Sequence, residues 1–271
     1  MNINCICLIF VKYNTINLMS EIRPLPNTGA LIVNFKEINK KLIVVSDLHL
    51  GLEYRKHNDI VIEDPQFVQF ENELSDLITS NKANCLVLLG DVKNNIFNIS
   101  NSDWKYLLNF FNVLSNVCEV YFIPGNHDSK ISSVISDSVN LVGSGGMIID
   151  DVLFTHGHTL PKVRPSVRTI IMGHIHPVFF KTGSILNGQR VWIFLKFKKK
   201  LLCPESTGLI DLILMPSFNR YTSYAEKKNE RKKMSSPLLR KLITNKGVES
   251  SLIVGIDGSI LGDISNLNDI L

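Results

Sequence analysis

Five short polar clusters interrupt this sequence: Asp47-Leu48-His49, Gly90-Asp91, Gly125-Asn126-His127-Asp128, His156-Gly157-His158 and Gly173-His174-Ile175-His176. Together they take six of the seven histidines and leave only His57 outside. Neutral imidazole and carboxylate form a donor set suited to Mn²⁺, Fe or Zn²⁺. No cysteine joins the clusters, which disfavours a thiolate-bound structural zinc. Cations held this way act as Lewis acids and lower the pKa of bound water. An Asp-x-His or His-x-His step on extended backbone predicts two side chains aimed at one site. Glycines beside Asp91, Asn126, His156 and His174 let the backbone turn sharply and come close to an ion. Taken singly the clusters say little, since Asp-x-His is usually a capped loop and His-Gly a turn. Their weight comes from being together.

Each cluster starts where an apolar run stops. Residues 42–45 run into Ser46-Asp47, 85–89 into Gly90-Asp91, and 119–123 into Pro124-Gly125. Between these runs lie segments of helical period. Asp64-Pro65 opens the first, with Asp a good N-cap and Pro tolerated in the first turn. Its apolar stripe is Phe67, Phe70, Leu74, Leu77 and Ile78. Ser102 is placed to cap the second, striped by Trp104, Leu107, Leu108, Phe111 and Leu114. The β-α-β-α-β order predicts a parallel sheet with covering helices. In such sheets ligands lie beyond the carboxyl ends of the strands, so clusters at successive strand ends converge.

The wiring then becomes strand-rich. Residues 147–149 and 152–155 read as a hairpin leading to His156, and 170–172 lead to Gly173. Residues 191–195 and 209–215 are further strands with no long helix between them. A second sheet packed on the first accounts for this. Asp257-Gly258 predicts a turn closing a terminal hairpin of 251–256 and 259–261. Residues 143–146, Gly-Ser-Gly-Gly, lack nucleotide-loop spacing and read as a plain loop. The sequence has no GxxxxGK[ST], HExxH or GxSxG motif.

At 271 residues, 45% hydrophobic and 20% charged, the chain is globular rather than disordered. Its net charge of +4 and pI of about 8.7 are mildly basic, compatible with a phosphate-bearing substrate and with none. Five cysteines, at 5, 7, 85, 118 and 203, form no CxxC pair; with Cys85 and Cys118 in apolar runs this predicts a reduced, cytoplasmic setting. Residues 1–18 are apolar but short for a membrane span and lack a signal-peptide cleavage site. They are expected to be a non-native or disordered extension, with Met19 the working start and one domain over 19–271. The charge run of 225–241 is expected to be a solvated loop or helix.

The five clusters, in this order, resemble the calcineurin-like metallophosphoesterase superfamily, whose series is D-x-H, G-D, G-N-H-D/E, H-G or G-H, and G-H-x-H. The resemblance covers residues 40–180. The stretches VSDLHLGLE, GDVK and LMPSFN are similar to archaeal phosphoesterases related to the DNA-ligase-associated branch, which extends the domain to about residue 262. This implies an α/β sandwich of two mixed β-sheets flanked by helices. It implies two divalent cations, with Mn²⁺ the first candidate and Fe, Zn²⁺, Co²⁺ or Ni²⁺ as alternatives. Asp47, His49 and His176 would hold one ion, Asn126, His156 and His174 the other, and Asp91 would bridge them. A bridging hydroxide would attack phosphorus in line, with His127 as leaving-group acid and Asp128 orienting it. His158 and Asn94 are candidates for substrate or outer contacts.

Asn94 and Asn95 stand where many family members have an acidic residue, which bears on substrate contacts rather than on metals. Only 14 residues lie between His158 and Gly173, little material for a cap. That favours a phosphodiester over a small monoester, with no membrane association and with nucleic acid as a candidate partner. The lysines at 196, 198, 199 and 200 and the 227–233 run are candidates to follow a phosphate backbone. Two other readings fit: a nucleic-acid-processing or repair accessory, and a catalytically silent scaffold of the same fold.

Overall fold

The structure, a computed structural model, describes residues 20–52, 65–94, 101–135, 137–222, 236–263 and 265. Six strands form the first sheet in chain order: β1 (Ser20–Pro24), β2 (Leu31–Phe35), β3 (Lys40–Val45), β4 (Cys85–Leu88), β5 (Glu119–Phe122) and β6 (Val139–Leu141). β1, β2 and β3 pair antiparallel, and β3 to β6 are parallel. The parallel steps are crossed by helices α1 (Pro65–Ser80) and α2 (Asn101–Val117). Of the expected stripes, Phe67, Phe70, Leu74 and Ile78 of α1 and Leu107, Phe111 and Leu114 of α2 are buried, but Trp104 and Leu108 are exposed and Phe110, outside the expected stripe, is buried instead. At about 1.5–3 kcal/mol per buried large apolar side chain, these stripes fix both helices to the sheet.

The second sheet has seven strands, β7 (Met147–Ile149), β8 (Val152–Thr155), β9 (Thr169–Met172), β10 (Val191–Lys198), β11 (Leu209–Leu214), β12 (Val248–Gly255) and β13 (Ile260–Asp263), in the order β13-β12-β10-β11-β9-β8-β7. The β8–β9 and β9–β11 pairs are parallel and the others antiparallel. Both expected hairpins are present as β7–β8 and β12–β13. The two sheets share an apolar layer that includes Phe35, Val44, Val87, Phe154, Ile171 and Trp192. α1 and α2 cover the outer face of the first sheet. A short helix, α3 (Pro237–Thr244), covers part of the second through Leu238, Leu239 and Leu242. The architecture is thus α/β, two mixed sheets flanked by helices.

Several local expectations need correction or extension. α2 is described from Asn101, which places Ser102 within its first turn. β1, β2 and β6 were not legible as strands, since 20–24 mixes polar and apolar residues and 139–141 spans only three. α3 emerges from the charge run because Ser236 caps it, accepting from the Leu239 amide, and Pro237 opens its first turn. Residues 1–18, Asp64, Asn95 and the 227–233 lysine run lie outside the described residues. No helix among the described residues is long and apolar enough to cross a membrane.

Candidate metal centre

The clusters lie where sheet strands end, and the loops that carry them are stitched together. The Asp47, His49 and Leu50 amides donate to the carbonyls of Gly90, Asp91 and Val92, continuing the β3–β4 pairing past both strands. The Ser46 hydroxyl donates to Asp47 Oδ2 at 2.6 Å and to the Leu89 carbonyl at 2.8 Å. His156 Nδ1 lies 2.6 Å from the same carbonyl, and the His174 amide donates to Asp47 Oδ2 at 3.0 Å. Four loops from two sheets therefore share a few main-chain groups. Glycine is what permits this closeness: a Cβ on Gly125 would fall on the Asp91 carboxylate, and one on Gly173 would fall on Ser46 and Asp47.

The convergence does not use extended backbone, as the sequence pattern suggested. Asp47, His49, Asp91, His174 and His176 all take left-handed φ, at 60, 44, 50, 72 and 47°. They are five of the eleven non-glycine residues in that region among the described residues. Asn126 and His127 likewise occupy a turn. Each chain must fold back over the end of its strand to aim its donor inward, and left-handed residues do this at about 1–3 kcal/mol apiece. Such strain, concentrated on one set of side chains, is held in place by the loop stitching and marks a functional centre.

The side chains form three overlapping groups: Asp47, His49 and His176; His49, Asp91 and His127; and Asp91, His156 and His174, each with donor atoms within 4.8 Å of one another. In the first, His176 Nε2 lies 3.0 Å from Asp47 Oδ1 and 3.2 Å from His49 Nε2. Donors about 2.1 Å from one ion and at right angles sit about 3.0 Å apart, so this spacing suits a shared cation. Asp91 joins the groups. Its Oδ1 accepts from the His127 amide at 2.8 Å, and its Oδ2 faces His156 Nε2 at 3.4 Å and His49 and His127 Nε2 at 3.9 Å each. Asp47 Oδ1, His49 Nδ1 and His156 Nε2 are buried with no hydrogen-bond partner. Orphaned buried polar atoms of this kind are costly unless something else satisfies them, and the imidazole and carboxylate donors here fit a bound cation.

The protonation states agree. Burial would raise the Asp47 carboxyl, but the neighbouring His176 and His156 outweigh it and hold it down to about 2. Asp91 is likewise pushed up by burial and held below the usual carboxylate range by the adjacent His156 imidazole. Burial and the neighbouring His176 push His49 down to about 3; burial and His156 push His174 down to about 4. Burial lowers His156, yet the Asp91 carboxylate carries it up to about 9. At neutral pH the centre therefore offers ionised carboxylates and neutral His49 and His174, the forms that bind metals.

The remaining predicted residues divide. His127 Nδ1 is 2.7 Å from the Asn94 carbonyl, so its Nδ1–H is held there and Nε2 is left toward the centre. Asp128 does not orient this ring. It is buried and its carboxylate accepts from the amides of Val92, Lys93 and Gly125, locking two cluster loops to each other. Burial and the adjacent Asp91 raise its pKa. Asn94 thus acts through its main chain. Asn126 sits exposed beside Gly125. His158 is half-buried, with its ring 5.2 Å from His156 and 6.2 Å from His174, and its Nδ1 has no partner.

Comparison with known proteins bears directly on this arrangement. Residues 40–169 match the model of the calcineurin-like phosphoesterase family. The matched segment, just under half of the chain, is similar to calcineurin-like phosphoesterases. The match ends before Gly173, so His174 and His176 are joined to the matched segment by geometry alone. The fold is similar to the crystal structure of a Pseudomonas putida nuclease, MPE, with a TM-score of 0.52 at 14% identity over 89% of this chain and 100% of that one. No curated protein matches the sequence.

Beyond the matched span, one segment bears on the phosphoesterase centre in a way the motifs did not reveal. The Ser217 hydroxyl donates to the Asp47 carbonyl at 2.7 Å, and the Asn219 amide group to the Leu48 carbonyl at 2.7 Å. The Phe218 amide donates to the Ser46 carbonyl, and Arg190 Nη1 donates to the carbonyls of Ser217 and Phe218 at 2.6 and 2.8 Å. This segment after β11 therefore clamps the Asp47–His49 turn. The LMPSFN resemblance flagged it, but nothing in the sequence said what it touches.

The lysine tract is a different case. Lys196 is in register with Asp211, which pairs with Thr169 at the start of β9, while His174 follows the end of that strand. The tract lies at the opposite end of the sheet. Lys196 pairs with Asp211 at 2.7 Å, Lys198 with Glu249 at 3.0 Å, and Lys199 Nζ donates to the Pro165 carbonyl at 2.5 Å. It does not line the metal centre.

Proposed function

We propose that the chain is a metal-dependent phosphoesterase that hydrolyses phosphodiesters, nucleic acid among them, at a two-cation centre. The observation that carries this reading is Asp91 Oδ2, which faces imidazoles from three loops between two donor groups. Asp47, His49 and His176 would hold one cation, and Asn126, His156 and His174 the other, with Asp91 between them. Mn²⁺ is the first candidate, since the donors are imidazole and carboxylate or amide oxygen without sulfur. When bound, the cations supply Lewis acidity and a water-derived nucleophile at neutral pH.

The chain's own residues do the rest. His127 is the entry side: its side chain is 21% exposed, against 6, 0 and 11% for His49, His156 and His176. With Nδ1–H fixed on the Asn94 carbonyl, a protonated His127 has only Nε2–H to give, and it gives that proton to the departing oxygen. Asp128 acts as a positioning residue, holding the loop that carries Asn126 and His127 against the loop that carries Asp91.

The preference for a diester is supported by the loop over 157–168, which has no helical insertion. A small monoester is normally held by enclosing contacts, whereas a polymer needs an open side. That the Pseudomonas putida protein of similar fold is a nuclease points the same way. The test is hydrolysis with Mn²⁺ of an aryl phosphodiester and its matched monoester, with single-stranded nucleic acid as competitor at low salt. The diester should be cut faster and the nucleic acid should inhibit. Strong monoester preference with no inhibition at any ionic strength would exclude the diester assignment and leave the two-cation centre standing.

A further inference from the structure

Two imidazoles stand beside the centre without belonging to the proposed ligand set, one at each end of it. His127 meets His49 edge-on, with ring centroids 4.9 Å apart. His158 meets the other donor group, with its ring 5.2 Å from His156 and 6.2 Å from His174. His127 is assigned to the departing oxygen, whereas His158 has no assigned part. None of the three groups of close donor atoms among the described residues includes His158. It therefore lies one layer outside the ligands, where a molecule bound at the centre would meet it.

The chain fixes the place of this ring. His156, two residues earlier, is wholly buried, with Nδ1 2.6 Å from the Leu89 carbonyl. Thr159, the next residue, donates through its hydroxyl to the Ser144 carbonyl at 2.9 Å. Between these anchors His158 is half-buried, and its Nδ1 is buried with no hydrogen-bond partner. Folded proteins rarely leave a buried N–H without an acceptor, so the neutral ring carries its proton on Nε2. His127 is the reverse case, because its Nδ1–H has the Asn94 carbonyl as acceptor. His158 is thus an uncharged N–H donor, held in place and without an acceptor of its own.

We propose that His158 is a catalytic residue, donating from Nε2–H to a non-bridging phosphoryl oxygen of the substrate on the His156–His174 side of the centre. The assignment rests on the phosphoesterase reading and adds a residue to it. His127 serves the oxygen that departs, and His158 an oxygen that stays on phosphorus. A fixed donor aimed where charge gathers in the transition state accelerates the reaction more than it tightens substrate binding.

The test compares the wild type with His158→Ala, His158→Gln and His158→Asn, all loaded with Mn²⁺. A Gln amide N–H reaches the position of the imidazole Nε2, and an Asn amide N–H that of Nδ1. Elemental analysis should give the wild-type metal content in all four proteins. His158→Ala should lower kcat for an aryl phosphodiester by about 10²-fold, with a smaller rise in KM. His158→Gln should recover at least about tenfold of this and His158→Asn none. Binding of inorganic phosphate, followed by calorimetry without turnover, should weaken about tenfold in His158→Ala and recover in His158→Gln. Of the two phosphorothioate diastereomers of a dinucleotide diester, the one with sulfur at the contacted oxygen should be slow with the wild type and lose that penalty in His158→Ala. Loss of a cation from His158→Ala would overturn the proposal by making His158 a ligand. Unchanged kcat and phosphate binding would overturn it by making His158 a bystander, and equal recovery by Gln and Asn by making it packing. In each of these cases wild-type hydrolysis leaves the phosphoesterase reading standing. A wild-type protein that binds Mn²⁺ but cuts no phosphate ester would overturn that reading and this inference together.

Discussion

The two ends of the sandwich both gather ionisable side chains and treat them in opposite ways. At the starts of β3, β4 and β5, Lys40 Nζ lies 3.0 Å from Glu119 and 2.9 Å from the Tyr121 hydroxyl, which donates to Glu119 at 2.6 Å; the Cys85 thiol donates to Glu119 as well. Lys40 and Glu119 are paired there, and the Cys85 thiol is pushed up to about 12 by burial and by its hydrogen bond to Glu119, which leaves it inert. Lys196 and Lys198 are similarly paired with acids at that end of the second sheet. At the other end Asp47, His49 and His156 are buried with orphaned atoms, and five ligand candidates sit on left-handed backbone. A cluster whose charges satisfy one another is finished, whereas one that remains unsatisfied and strained is arranged around something not part of the chain.

Breaking the unsatisfied end should cost most. Asp91→Ala removes the group shared by both donor sets. Several kcal/mol of transition-state stabilisation then go, about 10³-fold or more in hydrolysis rate. A variant within tenfold of wild type would show that Asp91 joins nothing. His127→Ala should lower turnover by about 10²–10⁴-fold while metal content stays at the wild-type level. Loss of a cation in this variant would make His127 a ligand through its contact with Asp91 and His49. Ser217→Ala, one bond removed from Asp47, should weaken metal binding by about 10–100-fold, as expected of groups that orient a ligand. An unchanged affinity would mean that the Asp47–His49 turn holds without its clamp. The paired end should hardly respond. Lys196→Ala with Lys198→Ala removes part-exposed ion pairs worth at most about 1 kcal/mol each. Hydrolysis and inhibition by single-stranded nucleic acid should remain within twofold. A clear loss of nucleic-acid inhibition would return that tract to the substrate path.

This contrast was only partly legible in the sequence. The α/β wiring, both hairpins and the convergence of Asp47, His49, Asp91, His156, His174 and His176 follow from apolar runs ending at Gly, Asp and His. Periodicity reports which residues share a face, and clusters at strand ends inherit their meeting point from the sheet. What it does not report is how a loop bends after the strand stops. For that reason Asp47 and His49 were expected on extended backbone but occupy left-handed turns. The role the resemblance implied for Asp128 likewise depends on loop geometry: its carboxylate accepts from amides of two loops, and the His127 ring is held by the Asn94 carbonyl. A main-chain acceptor has no sequence signal. The lysines at 196–200 looked like a basic tract because their partners, Asp211, Glu249 and the Pro165 carbonyl, are far along the chain and become neighbours only through sheet register.

The central claim is that the orphaned donors around Asp91 are arranged for two cations. Its most direct test is to strip the wild-type protein of metal, titrate it with Mn²⁺, and follow bound metal by elemental analysis alongside diester hydrolysis. The account predicts two ions per chain, with activity rising as the second is filled. Full activity with a single ion per chain, or hydrolysis that persists in the metal-stripped protein, would contradict it.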